Sequence, residues 1–263
     1  MPTDKFFKEY SEAYQSNFDI AESKEIRNIS RYLNREYLKG VEEYQRSGKV
    51  SGWDSYFKPD EIAVLYSILY MNIGVRFSKL YFNFFSQAYT TNINQNQYSI
   101  LWRDYFRDTG KRIASFKGKG VSQTQQKELT RVIQRLHRNP EFQVMNEREA
   151  NKILRSQVKD LSITRAKTIV RTEANAAANI ASEKTALDMF GKDSLKKWWI
   201  TSSDERVRDS HVLAGLQYSR SRAIGFDDAF SVGGEYMMRP SSGSIAANNI
   251  NCRCEAIFEP NKS

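Results

Sequence analysis

Cys252 and Cys254 are the only cysteines of this 263-residue chain, one residue apart in NINCRCEAIF, and His211 stands well upstream in SSDERVRDSHVLAGL. Two thiols and an imidazole are three soft ligands for zinc, which in a closed structural site takes four. Asp204 or Asp209, beside His211 in sequence, could complete the set. If NCRCEAIF is a strand, the two cysteines point to one face and Asn251 and Arg253 to the other. The usual Cys-x2-Cys spacing is absent, so a second reading stays open: two small buried hydrophobes beside a hydrogen-bonded helical histidine. A disulfide is disfavoured, because a Cys-x-Cys bridge is strained. Together these residues make a structural zinc site, held by His211, Cys252, Cys254 and Asp209, one expectation to test.

Glu173, Asp204 and His211 could also hold a metal or act as acid and base, as in a nuclease or phosphoesterase. The chain has no nucleophile elbow, no phosphate loop and no second acidic pair to support turnover. Arg206 and Arg208 offer forked donors that suit Glu173 or Asp209, so an ion-pair network is the more economical reading. The expectation is a protein that is not an enzyme, with the metal-dependent nuclease as its rival.

The formal charge of +9 and pI near 9.4 point to an anionic partner. The excess is concentrated in one stretch: Arg103, Arg107, Lys111, Arg112, Lys117, Lys119, Lys127, Arg131, Arg135 and Arg138, against Asp104, Asp108 and Glu128. Lysine and arginine along a helix face can neutralise duplex phosphates with salt-sensitive, sequence-independent affinity. No finger or recognition-helix motif accompanies them. No apolar run is long enough to span a membrane, and the acidic, aromatic start MPTDKFFKEYSEAYQ does not read as a secretory signal.

The elements that must position these residues change in texture along the chain. From Phe6 to Tyr44 apolar residues recur at helical spacing (Ile26, Ile29, Leu33, Tyr37, Val41, Tyr44), and Pro59 suits the start of a second helix that is apolar nearly all round. In the next helix Leu101, Tyr105 and Phe106 are expected on one side. FKGKG reads as a hinge, followed by a capping box at Ser122 and Gln125. Asn146 with Glu149 starts a short helix, and Ser162 caps a long alanine-rich one stopped by Gly191. Beyond Gly191, LKKWWIT, GGEYMM and INCRCEAIF read as strands and DSHVLAG as a short helix ended by Gly215. The fold expected is α+β: a mainly helical region, 1–150, then a compact α+β module with a small sheet, 151–263.

Three pieces in this order carry a resemblance: Arg171-Thr172-Glu173 in VRTEANAAAN; Trp199, Thr201, Asp204, Arg206, Arg208, His211 and Gly215 in KWWITSSDERVRDSHVLAG; and Asn251-Cys252-Arg253-Cys254. The set resembles the phage Mu F-like minor head proteins, also called head morphogenesis proteins, over roughly 165–260. The resemblance implies a minor capsid protein of a tailed bacteriophage that assists head assembly or genome delivery. It implies association with the portal protein, capsid or scaffolding proteins as further partners, and non-specific binding of double-stranded DNA. The expected location is the virion, in the head interior or near the portal, with the host cytoplasm as the place of assembly.

Overall fold

A computed structural model of the chain describes residues 3–49, 56–91, 93–202 and 205–261; Asp204 falls outside them. Four long helices, α1 (Asp4–Ser47), α2 (Pro59–Ala88), α3 (Gln95–His137) and α5 (Glu147–Phe190), are joined by short connections, one holding the single turn α4 (Pro140–Gln143). After them come β1 (Leu195–Ile200), α6 (Asp209–Gln217), β2 (Ile224–Gly225), β3 (Phe230–Val232), β4 (Glu235–Met237), α7 (Ala246–Asn249) and β5 (Glu255–Pro260). The architecture is α+β, as the sequence predicts.

Three local signals are overridden. FKGKG is not a hinge, since α3 runs unbroken through Gly118 and Gly120. Ser122 is buried in mid-helix and accepts from Gln126 Nε2 at 3.3 Å instead of capping. Ser162 is likewise internal to α5, its hydroxyl donating back to the Val158 carbonyl at 2.7 Å. In both cases neighbouring apolar residues keep their helical period across the serine, and burial outweighs the weak local preference. The real start of α5 is Asn146, whose Oδ1 accepts from the Glu149 N–H at 3.0 Å. Gly191, at φ 76°, ends it in a left-handed conformation that suits glycine.

The chain forms two compact units, and each long helix contributes one stretch to each. Residue 150, where the expected helical region ends, lies inside α5. One unit comprises residues 23–68 and 108–170. Ile29, Leu33, Tyr37, Val41, Ile62, Tyr66, Leu129, Ile133, Leu136, Leu154 and Val158 are buried in it. At Gly110 an added Cβ would lie 2.5 Å from the Tyr66 carbonyl, so only glycine lets these backbones approach so closely. Gln125, fully buried, accepts from the Tyr37 hydroxyl at 2.6 Å and so anchors a polar contact inside the core.

The other unit comprises residues 1–22, 69–107 and 171–263. Its helical part is aromatic: Phe7, Tyr10, Tyr14, Phe18, Phe77, Tyr81, Phe85, Trp102 and Phe106 are all buried. On α3 the inward residues of this unit are therefore Trp102 and Phe106, while Leu101 and Tyr105 are exposed at 55% and 37%. The expected side was displaced by one position for two of its three residues. The sheet has the order β2-β1-β5, all antiparallel, with Trp198 opposite Ile257 and Trp199 opposite Ala256. Adjacent strand residues face opposite sides. Trp198 accordingly meets Phe7 edge-on, centroids 4.8 Å apart, and Trp199 meets Phe230 and His211 at 5.3 and 5.5 Å. β3 and β4 form a hairpin turned by Gly233 and Gly234, both at positive φ.

Candidate metal centre

All the residues of the centre belong to the second of these units. β1 supplies the floor through Trp199. α6 presents His211 from its first turn, where its N–H bonds the Arg208 carbonyl at 2.9 Å. The cysteines do not lie in a strand: β5 begins at Glu255, and 252–254 is an extended lead-in. Asn179 holds that lead-in to the helix. Its side chain donates to the Cys254 carbonyl at 3.1 Å and accepts from the Ala256 N–H at 2.8 Å, replacing a neighbouring strand for one residue pair. Asn251, at φ 57°, donates its N–H to the Thr172 hydroxyl at 3.1 Å. Thus VRTEANAAAN grips both ends of NCRC.

The outcome is a convergence of three donors. His211 Nδ1 lies 3.3 Å from Cys254 Sγ and 3.6 Å from Cys252 Sγ. The three ligand atoms fall within 4.8 Å of one another, and all three residues are buried. Such a group could hold a metal ion. Cys252, accepting a hydrogen bond from Cys254 and facing His211, is pulled well below the usual thiol range despite its burial. Cys254, sharing its proton with Cys252 and buried beside it, is pushed up. Asp209 is exposed at the start of α6 and does not join the group. Two residues apart on a helix, it and His211 point to nearly opposite sides.

The arginines of the motif are bound to partners other than those expected. Arg171 forks onto Glu22 Oε1 from Nε and Nη2, at 3.1 and 2.7 Å. Arg253 meets Asp19 at 2.5 Å and lies 5.6 Å from the Phe18 ring centroid. Arg208 donates to the Ile250 carbonyl. Glu173, buried, accepts from the Tyr70 hydroxyl at 2.8 Å. Arg171 and Arg253 are thus tied to acids on α1, residues too distant in sequence for any local pattern to pair, and Arg208 bonds a backbone carbonyl rather than Glu173 or Asp209. Arg171, Arg206, Arg208 and Arg253 together line a cavity of about 270 Å³ that also touches His211, Cys252 and Cys254.

A family of known proteins matches here. Residues 122–257, more than half of the chain, match the family described as Phage Mu protein F like protein. The chain belongs to that family. The match begins well before residue 165 and takes in the second half of the basic stretch, so in this Mu F-like chain Lys127, Arg131, Arg135 and Arg138 lie within the family region. The family is one of phage head morphogenesis proteins, and no helix among the described residues is long and apolar enough to cross a membrane. No curated protein and no solved structure matches the chain.

The ten basic residues are all exposed on or just beyond α3, including Arg103, Arg107, Lys111, Arg112, Lys117 and Lys119. Arg107, Lys111 and Arg131 pair with acids one turn away. Sequence reading missed Asn179, Lys197 and Glu255. Lys197 is buried on β1, donates to the Met238 carbonyl at 2.8 Å, and is pushed down to about 8 by burial. Glu255 is fully buried, and that burial holds its carboxyl well above the usual range, with the hydroxyls of Tyr10 and Ser11 opposing. The asparagine had a signal, a polar amide four residues after Asn175 in a run of alanines; the other two had none.

Proposed function

We propose that this Mu F-like chain is a minor head protein of a tailed bacteriophage that associates with the portal inside the head and binds duplex DNA without sequence preference. The observation that carries the DNA reading is the row Lys127, Arg131 and Arg135, one turn apart and exposed, with Arg138 just beyond. Their opposite side, Leu129, Ile133 and Leu136, is buried, so the cations are held outward by the core. Such a row acts through counterion release and needs no base contact. The chain works by binding rather than by turnover, during assembly and in the virion, with capsid or scaffolding proteins as further partners. Val64 and Ile68, large apolar side chains exposed on α2, offer the apolar contact for the portal.

The test is filter binding of a duplex across a salt series. Affinity is expected to fall with a log–log slope of about −0.9 per phosphate neutralised. Replacing Lys127, Arg131, Arg135 and Arg138 by Glu should weaken binding at every sequence and flatten the slope. Undiminished binding by that variant refutes the assignment. Plasmid nicking with Mg²⁺ or Mn²⁺ that disappears in His211→Ala would install the nuclease reading instead. Failure to co-sediment with portal-bearing procapsids would remove the portal.

A further inference from the structure

We propose that His211, Cys252 and Cys254 bind one zinc ion whose fourth coordination position opens to the arginine-lined cavity and takes an exogenous anionic oxygen donor. A tetrahedral zinc, with sulfur at about 2.3 Å and nitrogen at about 2.0–2.1 Å, places nitrogen and sulfur about 3.6 Å apart. The observed separations from His211 Nδ1 are 3.3 and 3.6 Å, and all three donors lie within 4.8 Å of one another, against about 3.8 Å between two sulfurs on one tetrahedral zinc, so a small adjustment brings them onto a shared ion. Soft sulfur with imidazole selects zinc over magnesium, calcium or manganese.

The alternative, a dry knot of two thiols and a histidine, leaves the imidazole poorly served. Nδ1 has only weak thiol partners, and Nε2 is buried with no hydrogen-bond partner among the described residues. The orphaned Nε2 is common to both readings, so the difference lies at Nδ1, where a thiol is a weak partner for a buried imidazole. Coordination supplies a stronger one, both cysteines entering as thiolates and releasing their protons to solvent.

The three ligands are also held from outside. Asn179 fixes the Cys254 carbonyl, Thr172 fixes the Asn251 N–H, and the turn of α6 fixes His211, so the spacing does not depend on the ion. Among the described residues no fourth histidine, cysteine or carboxylate joins the group. The cavity the three residues line is edged by Arg171, Arg206, Arg208 and Arg253. Arg171 and Arg253 are paired with Glu22 and Asp19, but Arg208 bonds a neutral carbonyl, so positive charge remains beside an incompletely ligated zinc and favours an anion over a neutral ligand. On this proposal the fourth ligand comes from the cavity, as water in isolation and as a phosphate-type oxyanion when one is supplied. A cobalt spectrum altered by Asp204→Asn in the absence of phosphate would give the position to that carboxylate instead and overturn the open position.

The experiment uses the full chain purified without chelator. Elemental mass spectrometry is expected to find close to one zinc per chain, and Cys252→Ser and His211→Gln should each lose it. Should those variants fail to fold, the wild-type chain stripped by chelator and reloaded with cobalt carries the test, with circular dichroism confirming that it stays folded. Thiolate-to-cobalt charge transfer and tetrahedral ligand-field bands are expected at one equivalent, and inorganic phosphate should shift the ligand-field bands saturably. Arg206→Ala should keep the metal and weaken the phosphate response several-fold. A chain that takes up no zinc and gives no thiolate–cobalt band overturns the site. A cobalt spectrum indifferent to phosphate overturns the open position.

Discussion

The arginines around the Cys/His centre and those along α3 are the same side chain put to opposite uses. Arg171, Arg208 and Arg253 each bind a partner on another element, and Arg171 and Arg253 are only 28% and 18% exposed. On α3 and just beyond it, Arg103, Arg112, Lys119, Lys127 and Arg138 are exposed and have no ion pair among the described residues. A guanidinium clamped on a nearly buried carboxylate fixes where two elements meet, because the acid cannot be left alone without a large desolvation cost. An exposed cation contributes little to folding and much to the field that meets a polyanion. Sequence composition counts both kinds alike; their burial separates them.

That contrast can be broken at several strengths. The largest effect is expected where polar burial is densest: Asn179→Ala strands the Cys254 carbonyl and the Ala256 N–H, at about 1–3 kcal/mol each. Calorimetry should show the melting point lowered by roughly 6–10 °C; an unchanged melting point would mean that the lead-in to β5 is not held by this amide. Next comes a matched pair. Arg171→Gln leaves Glu22, 6% exposed, without its cation and should cost about 2–3 kcal/mol, less than a fully buried pair because water reaches Arg171. Arg131→Gln, at a side chain 70% exposed, should stay within about 0.5 kcal/mol yet reduce the DNA salt slope by about one. Denaturant titration of the two variants decides it, and equal losses would erase the distinction between the regions.

A last effect, set by pH rather than by a lost partner, is expected at Glu255. Its carboxyl is raised in the folded chain, so the folded state holds the proton more tightly than the unfolded one. That contribution is complete below the ordinary carboxylate range and is lost as pH rises toward the folded value. Glu255→Gln, which keeps the shape and cannot ionise, should match the wild type near pH 4 and gain on it steadily toward pH 8 in thermal melts. A constant offset across that range would show that Glu255 keeps an ordinary pKa.

How much of this was legible beforehand follows the range of the interactions. The lengths of α1 and α2, the stop at Gly191, the strand LKKWWI and the break in texture after residue 190 are local signals, and each reappears in the structure. Gly118, Ser122 and Ser162 misled because propensity is worth tenths of a kcal/mol to about one, less than a buried helix face spanning them. At the site, the pairing of His211 with the two cysteines was readable from residue type. Asp209 was not excludable from spacing alone, and the true partners of Arg171 and Arg253 sit far off on α1.

The sequence by itself determined the chemistry on offer: two thiols and an imidazole, a run of cations, and the ordered motifs that place the chain in its family. Only the tertiary structure decided which donors meet. Coordination and ion pairing act over a few ångströms, and it is burial of the aromatic and alanine faces that brings residues 19, 22, 171, 179, 211 and 252–254 within that reach.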